Sequence, residues 1–194
     1  MRRRPLLPIR VAAFGGIIGP VSFVSAWSIL GARAPDYSAT RDAISRLAAT
    51  GTPTATAMTA GLVAFGTGVP LFGAALRSCL KGPAWIFATA TGIATLGVAA
   101  TPLQARTSDT LHGVFAGLGY ATLAAVPLAA AGPLAAGGRR RWALASVVAG
   151  VTSAGCLMAT TLGRRHGLFQ RAGLTAADVW LVAFALDTLR SGRD

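Results

Sequence analysis

Apolar positions in this chain gather into six long stretches, at residues 11–31, 54–76, 84–103, 111–135, 142–163 and 173–189. Nearly every charged position falls in the gaps between them. A hydrocarbon core about 30 Å thick takes about 20 helical residues to cross, and each stretch meets or nearly meets that length. The stretches are rich in Ala, Gly and Leu and show no alternation in segments of about ten residues, so they predict helices rather than the strands of an outer-membrane barrel. The expected fold is all-α: one domain over 1–194, an integral membrane bundle of six transmembrane helices. In the longest gap, between Ala32 and Pro53, a helix over 38–49 would bring Tyr37, Ile44, Leu47 and Ala48 near one side and put Arg41, Asp42, Ser45 and Arg46 on the others. This segment is predicted to be a short amphipathic helix in the first outer loop, lying along the interface or capping the bundle.

Helices in lipid gain little from burying apolar surface against one another, so they associate where small residues let backbones approach. Gly15 and Gly19 share one helix face, as do Gly113 and Gly117, and Gly61, Gly66, Gly68, Gly73, Gly150 and Gly155 extend the pattern. Packing within the chain is the expected use of these faces, ahead of a dimer contact. Pro20, Pro70 and Pro127 interrupt the spans or their ends, where each removes a backbone donor and either opens a cavity or simply bends the helix.

Composition agrees with this pattern. Charged residues are 12% of the chain and hydrophobic ones 53%, whereas a soluble domain carries about 25% charged residues. The net charge of +12 raises the question of nucleic acid, but the basic residues sit in small groups at span ends, as topology signals and lipid-headgroup contacts do, so no nucleic-acid partner is expected. With the N-terminus inside, Arg33, Arg41, Arg46, Arg106, Arg164, Arg165 and Arg171 fall outside and the other eleven of the eighteen Lys and Arg fall inside, which favours N-in and C-in. The first stretch is too long for a secretory signal and is read as a retained helix. The Arg-rich, Lys-poor composition suggests a GC-rich bacterial genome and hence the cytoplasmic membrane, multi-pass. Cys79 and Cys156 fall at different depths, so neither a disulfide nor a cysteine metal site is indicated.

This topology gathers Asp36, Asp42, Asp109, His112, His166, Gln170 and Asp178 at the outer end, with the seven outer arginines. Asp109 and His112 are spaced i to i+3, which puts them on one face of a first turn, where the carboxylate would orient the imidazole for acid/base chemistry. His166, Asp178 and Asp42 are the assisting candidates. Arg41, Arg106, Arg165, Gln170 and Arg171 are the candidate ligand-binding groups, the arginines matched to an anionic head group. Each has a plainer explanation: Asp109 as cap of the fourth helix, Asp178 with Thr175 as a capping-box start to the sixth, and His112 as an interfacial hydrogen-bonded side chain. Two His and nearby Asp are a possible zinc donor set, but no H-E-x-x-H spacing occurs, and no metal or other cofactor is expected. Asp187 precedes Arg190 by three residues, an economical salt bridge at the inner interface. No G-x-S-x-G elbow supports a serine nucleophile.

Three motifs carry a resemblance: Arg41, Asp42, Ile44, Ser45 and Leu47 in the first outer loop; His112 and Gly113 opening the fourth stretch; and Gly167, Leu168, Gln170 and Arg171 before the sixth. In these the chain resembles the domain of unknown function 998 family. The resemblance implies a six-helix membrane bundle with marked polar residues at its outer face, and it implies no substrate or reaction. Arg164-Arg165 departs from the pattern.

Two functions follow as expectations. The first is a membrane protein whose outer polar pocket binds a lipid-like or amphiphilic small molecule, among membrane lipids as its surroundings. The second is an intramembrane hydrolase, isomerase or cyclase acting on a lipid, isoprenoid or polyketide-like substrate, with Asp109 and His112 as its acid/base pair. A small transporter or an accessory subunit is a further alternative, and the oligomeric state is left open.

Overall fold

In the computed structural model, which describes residues 8–104, 108–163 and 165–191, the chain is all-α. The helices are α1 (Ile9–Arg33), α2 (Ala55–Cys79), α3 (Ala84–Ala100), α4 (Ser108–Ala136), α5 (Arg140–Ala159) and α6 (His166–Ser191), with 3-10 turns at Ile44–Ala48 and Thr160–Leu162. All but α3 are long and apolar enough to cross a membrane. At 17 residues, α3 rises only about 25 Å. Each helix packs on its neighbour in sequence, and α6 closes the ring against α1 while touching α4.

Apolar side chains point both ways. Met58, Val69, Phe72 and Phe184 are fully buried, yet Ile18, Ile93, Val114 and Val151 stand on the outside more than half exposed. In water that exterior would be unstable, whereas in lipid it costs nothing, and the helices must then be held by close backbone approach. The α1/α2 contact is built that way. A Cβ on Gly15 would lie 2.3 Å from the Gly68 carbonyl oxygen, so these backbones meet at a distance only glycine allows. The Gly113/Gly117 pair, identical in spacing, has nothing within 4 Å of either position, so packing within the chain, the expectation for this pair, does not occur there. Pro70 does not open a cavity either, because its ring sits where a Cβ on Gly92 would be.

Three local expectations change. Only residues Ile44–Ala48 of the first long loop are helical, as a 3-10 turn, because the residues before them bend to present their carbonyls to α6. The sixth helix begins at His166, seven residues ahead of the apolar stretch, since the loop supplies partners for the polar residues of its first turns. Asp187 reaches across to Arg139 rather than along its own helix to Arg190; Arg139 also lies over the Phe184 ring at 5.2 Å, so the pair ties the α4/α5 connection to the end of α6. It is the one ion pair among the described residues.

Candidate functional site

Two of the three motifs singled out in the sequence, that of the first long loop and that of Gly167 to Arg171, meet as one cap over one end of the bundle. Asp42 folds the loop on itself, its carboxylate accepting the Ser38 amide at 2.7 Å. Ile44, Leu47 and Ala48 then point down and are buried. From below, α6 receives the loop. The Leu168 amide, one of the donors that a helix N-terminus leaves unpaired, donates to the Thr40 carbonyl at 3.0 Å. One Arg171 nitrogen donates to the carbonyls of Ala39 at 2.6 Å, Asp42 at 3.1 Å and Gly167 at 3.0 Å, and the other donates to the Tyr37 hydroxyl. Gly167 is required because a Cβ there would lie 2.4 Å from the Asp42 carbonyl oxygen. Gln170 accepts the Ile44 amide at 2.8 Å and donates to the Tyr120 hydroxyl. Burial pushes the Tyr37 phenol above its ordinary ionisation range, the neighbouring Arg171 charge opposing the shift.

Beneath the cap lies a cavity of about 60 Å³, with room for a few waters or a small head group. Its walls are mostly apolar, with Phe23, Phe65 and Phe115 prominent, and its polar groups come from Ser45, Thr91, Thr95, His112, Tyr120 and Gln170. Thr91 and Thr95 are spent on helix carbonyls and Thr91 also on Thr122. His112 is not spent. It is 5% exposed, and its Nδ1 lies 2.7 Å from the Thr101 carbonyl, which can only accept, so Nδ1 carries a proton and the neutral tautomer with this bond has its lone pair on Nε2. Nε2 has no partner among the described residues.

The acid/base pair read from spacing does not form. Asp109 is exposed and accepts the Gln104 amide at 2.9 Å, so a backbone carbonyl, not the carboxylate, orients His112. His166 faces the Thr160 carbonyl at 3.1 Å, away from the cavity. Arg41 and Asp36 are exposed on the cap, and Arg165 is exposed beside the α5/α6 connection. Arg106 lies outside the described residues. Asp178 neither caps a helix nor joins this site: with α6 starting at His166, it lies midway along that helix, on a different groove.

Of the described ligand-binding candidates, then, only Gln170 lines the cavity, and Arg171 holds the cap. The residues missed were Tyr120, Thr101 and the structural role of Tyr37. A signal existed, for the chain has only two tyrosines and they pair with the adjacent Gln170 and Arg171. Among the described residues no three His, Cys, Asp or Glu side chains cluster as metal ligands would.

No curated protein and no solved structure matches the chain. A family model does, over residues 17–187, a span holding the whole cap, the cavity and all six helices in part or whole, and the chain therefore belongs to the family described as protein of unknown function DUF998.

Proposed function

We propose that the chain crosses the cytoplasmic membrane six times, α3 being a short span, with both ends inside and the cap outside, and that the cavity under the cap binds the head of a lipid-like, hydroxyl-bearing amphiphile. The orientation is supported by the excess of Lys and Arg on the side away from the cap. One observation carries the ligand reading: His112 lines an apolar chamber with its Nδ1 held by Thr101, which leaves Nε2 without a partner among the described residues. A hydroxyl donor satisfies it, and the Tyr120 hydroxyl can donate in return. A neutral head group fits the described residues better than an anionic one, because among them Arg171 is committed to the loop and Arg41 and Arg165 stand outside the cavity. Thr95 and Val98 of α3 and Phe115, Ala116 and Gly119 of α4 line the chamber and are also partly exposed on the surface, so a tail would enter from the bilayer through this thin seam.

A second reading rests on the same geometry. A histidine fixed at Nδ1 with Nε2 free has, in its neutral form, the arrangement of a general base, which would activate a bound hydroxyl. Photolabelling with a diazirine-bearing long-chain alcohol in liposomes tests both. Labelling of wild type at residues of α3 and α4, lost in His112→Ala, supports binding. Undiminished labelling in that variant refutes a binding role for His112, and turnover that His112→Ala abolishes while labelling persists moves the assignment to catalysis.

A further inference from the structure

Asp178 poses a separate problem. It stands twelve residues from one end of α6 and thirteen from the other, about 18–20 Å from each, in the middle of an apolar span. It is 2% exposed, and both carboxylate oxygens are buried without a hydrogen-bond partner. A carboxylate left so in hydrocarbon is costly, and such residues mark the paths or sites of ions and ligands.

What surrounds it narrows the occupant. Asp178 lies on a groove of about 360 Å³ between α1 and α6, within the size range of small-molecule sites. The walls are aliphatic, from Val21 and Val24 of α1 and Val179 and Leu186 of α6, and Val21 at 50% and Val179 at 61% exposure show that the groove opens outward toward lipid. No other charged residue lines it from either helix. Ser25 and Thr175 also border it, and neither hydroxyl has a partner among the described residues, whereas Thr89, Thr95, Ser146 and Thr188 all bond back to their own helices. The groove is thus bordered by one carboxyl group with no partner and by two hydroxyls with none among the described residues.

We propose that the α1/α6 groove is a binding site for a lipophilic amine. Its ammonium has three N–H donors, for Ser25, Thr175 and the Asp178 carboxylate once that side chain turns out to the groove, and its aliphatic chain lies along the valines and Leu186. Charge complementarity selects the amine, since an ammonium brings the counter-charge that lets a buried carboxyl group ionise and a neutral alcohol does not. The site is apart from the His112 cavity, and its failure leaves that reading standing.

The test uses the full chain in phospholipid nanodiscs with radiolabelled dodecylamine, and dodecanol as the uncharged counterpart. Wild type is expected to bind the amine saturably, one per chain, and to show no saturable binding of the alcohol. Asp178→Asn, which keeps the shape and removes the ionisable acid, is expected to weaken amine binding by on the order of a hundredfold. Asp178→Glu should restore part of it, and circular dichroism establishes that both variants stay helical. Equal amine binding by wild type and Asp178→Asn overturns the proposal, as does equal binding of amine and alcohol. It is also overturned if wild type binds no amine and forms an oligomer that Asp178→Asn dissociates, since a second copy would then cover the groove.

Discussion

Replacing Arg171 distinguishes a group that holds the fold from one that holds a ligand. In Arg171→Ala the carbonyls of Ala39, Asp42 and Gly167 and the Tyr37 hydroxyl lose their shared cationic donor at a site only 8% exposed. Hydrogen bonds to a charged group contribute about 1.5–3 kcal/mol each, but these share one guanidinium and are not additive. Removing one partner of a buried charged network costs about 3–5 kcal/mol, and we take the lower end because the loop carbonyls regain water as the cap lifts. For a chain of this size about 3 kcal/mol corresponds to a Tm lowered by about 6–12 °C. Thermal unfolding in detergent, followed by circular dichroism, measures it, and limited proteolysis should show new cleavage between Ser38 and Ala43. Arg171→Lys should recover only part of the loss, since an ammonium lacks the planar fork. An unchanged Tm with an uncleaved loop in Arg171→Ala would refute the reasoning and return Arg171 to the ligand-binding role that its position in the sequence suggested.

Two further outcomes follow from the same geometry. Gly15→Ala forces α1 from α2, because the new methyl meets a backbone carbonyl oxygen that has no freedom to move, and a loss of about 1–3 kcal/mol is expected. Gly113→Ala, with the same motif spacing but open space around it, should be neutral or gain up to about 1 kcal/mol, and a comparison of the two melting curves decides the matter. Tyr37 is expected to ionise above the ordinary value of 10.0, as read by phenolate absorbance in a Tyr120→Phe background. Because the folded phenol holds its proton more tightly than the unfolded one, its contribution to stability is complete below the unfolded pKa of about 10 and is lost as pH rises above it. That loss should be smaller in Tyr37→Phe, and a Tyr37 that titrates at or below 10.0 would contradict the burial argument.

The membrane character, the helical class and the approximate place of each helix were legible along the chain, because the bilayer imposes a one-dimensional rule: about 20 apolar residues per crossing and charges at the ends. The family motifs were legible too, but only as words. Arg41-Asp42-x-Ile44-Ser45 and Gly167-Leu168-x-Gln170-Arg171 lie more than a hundred residues apart, and nothing in either says that the loop's carbonyls need the guanidinium of the other. Only the folded ring decided that Arg171 turns to the cap, that Thr101 rather than Asp109 holds His112, and that Gly15 is locked while Gly113 faces open space. Helix spacing reports which residues share a face; it does not report what that face meets. Asp178 is the sharpest case, since its depth depended on where α6 begins, and that was set by hydrogen bonds from a distant loop.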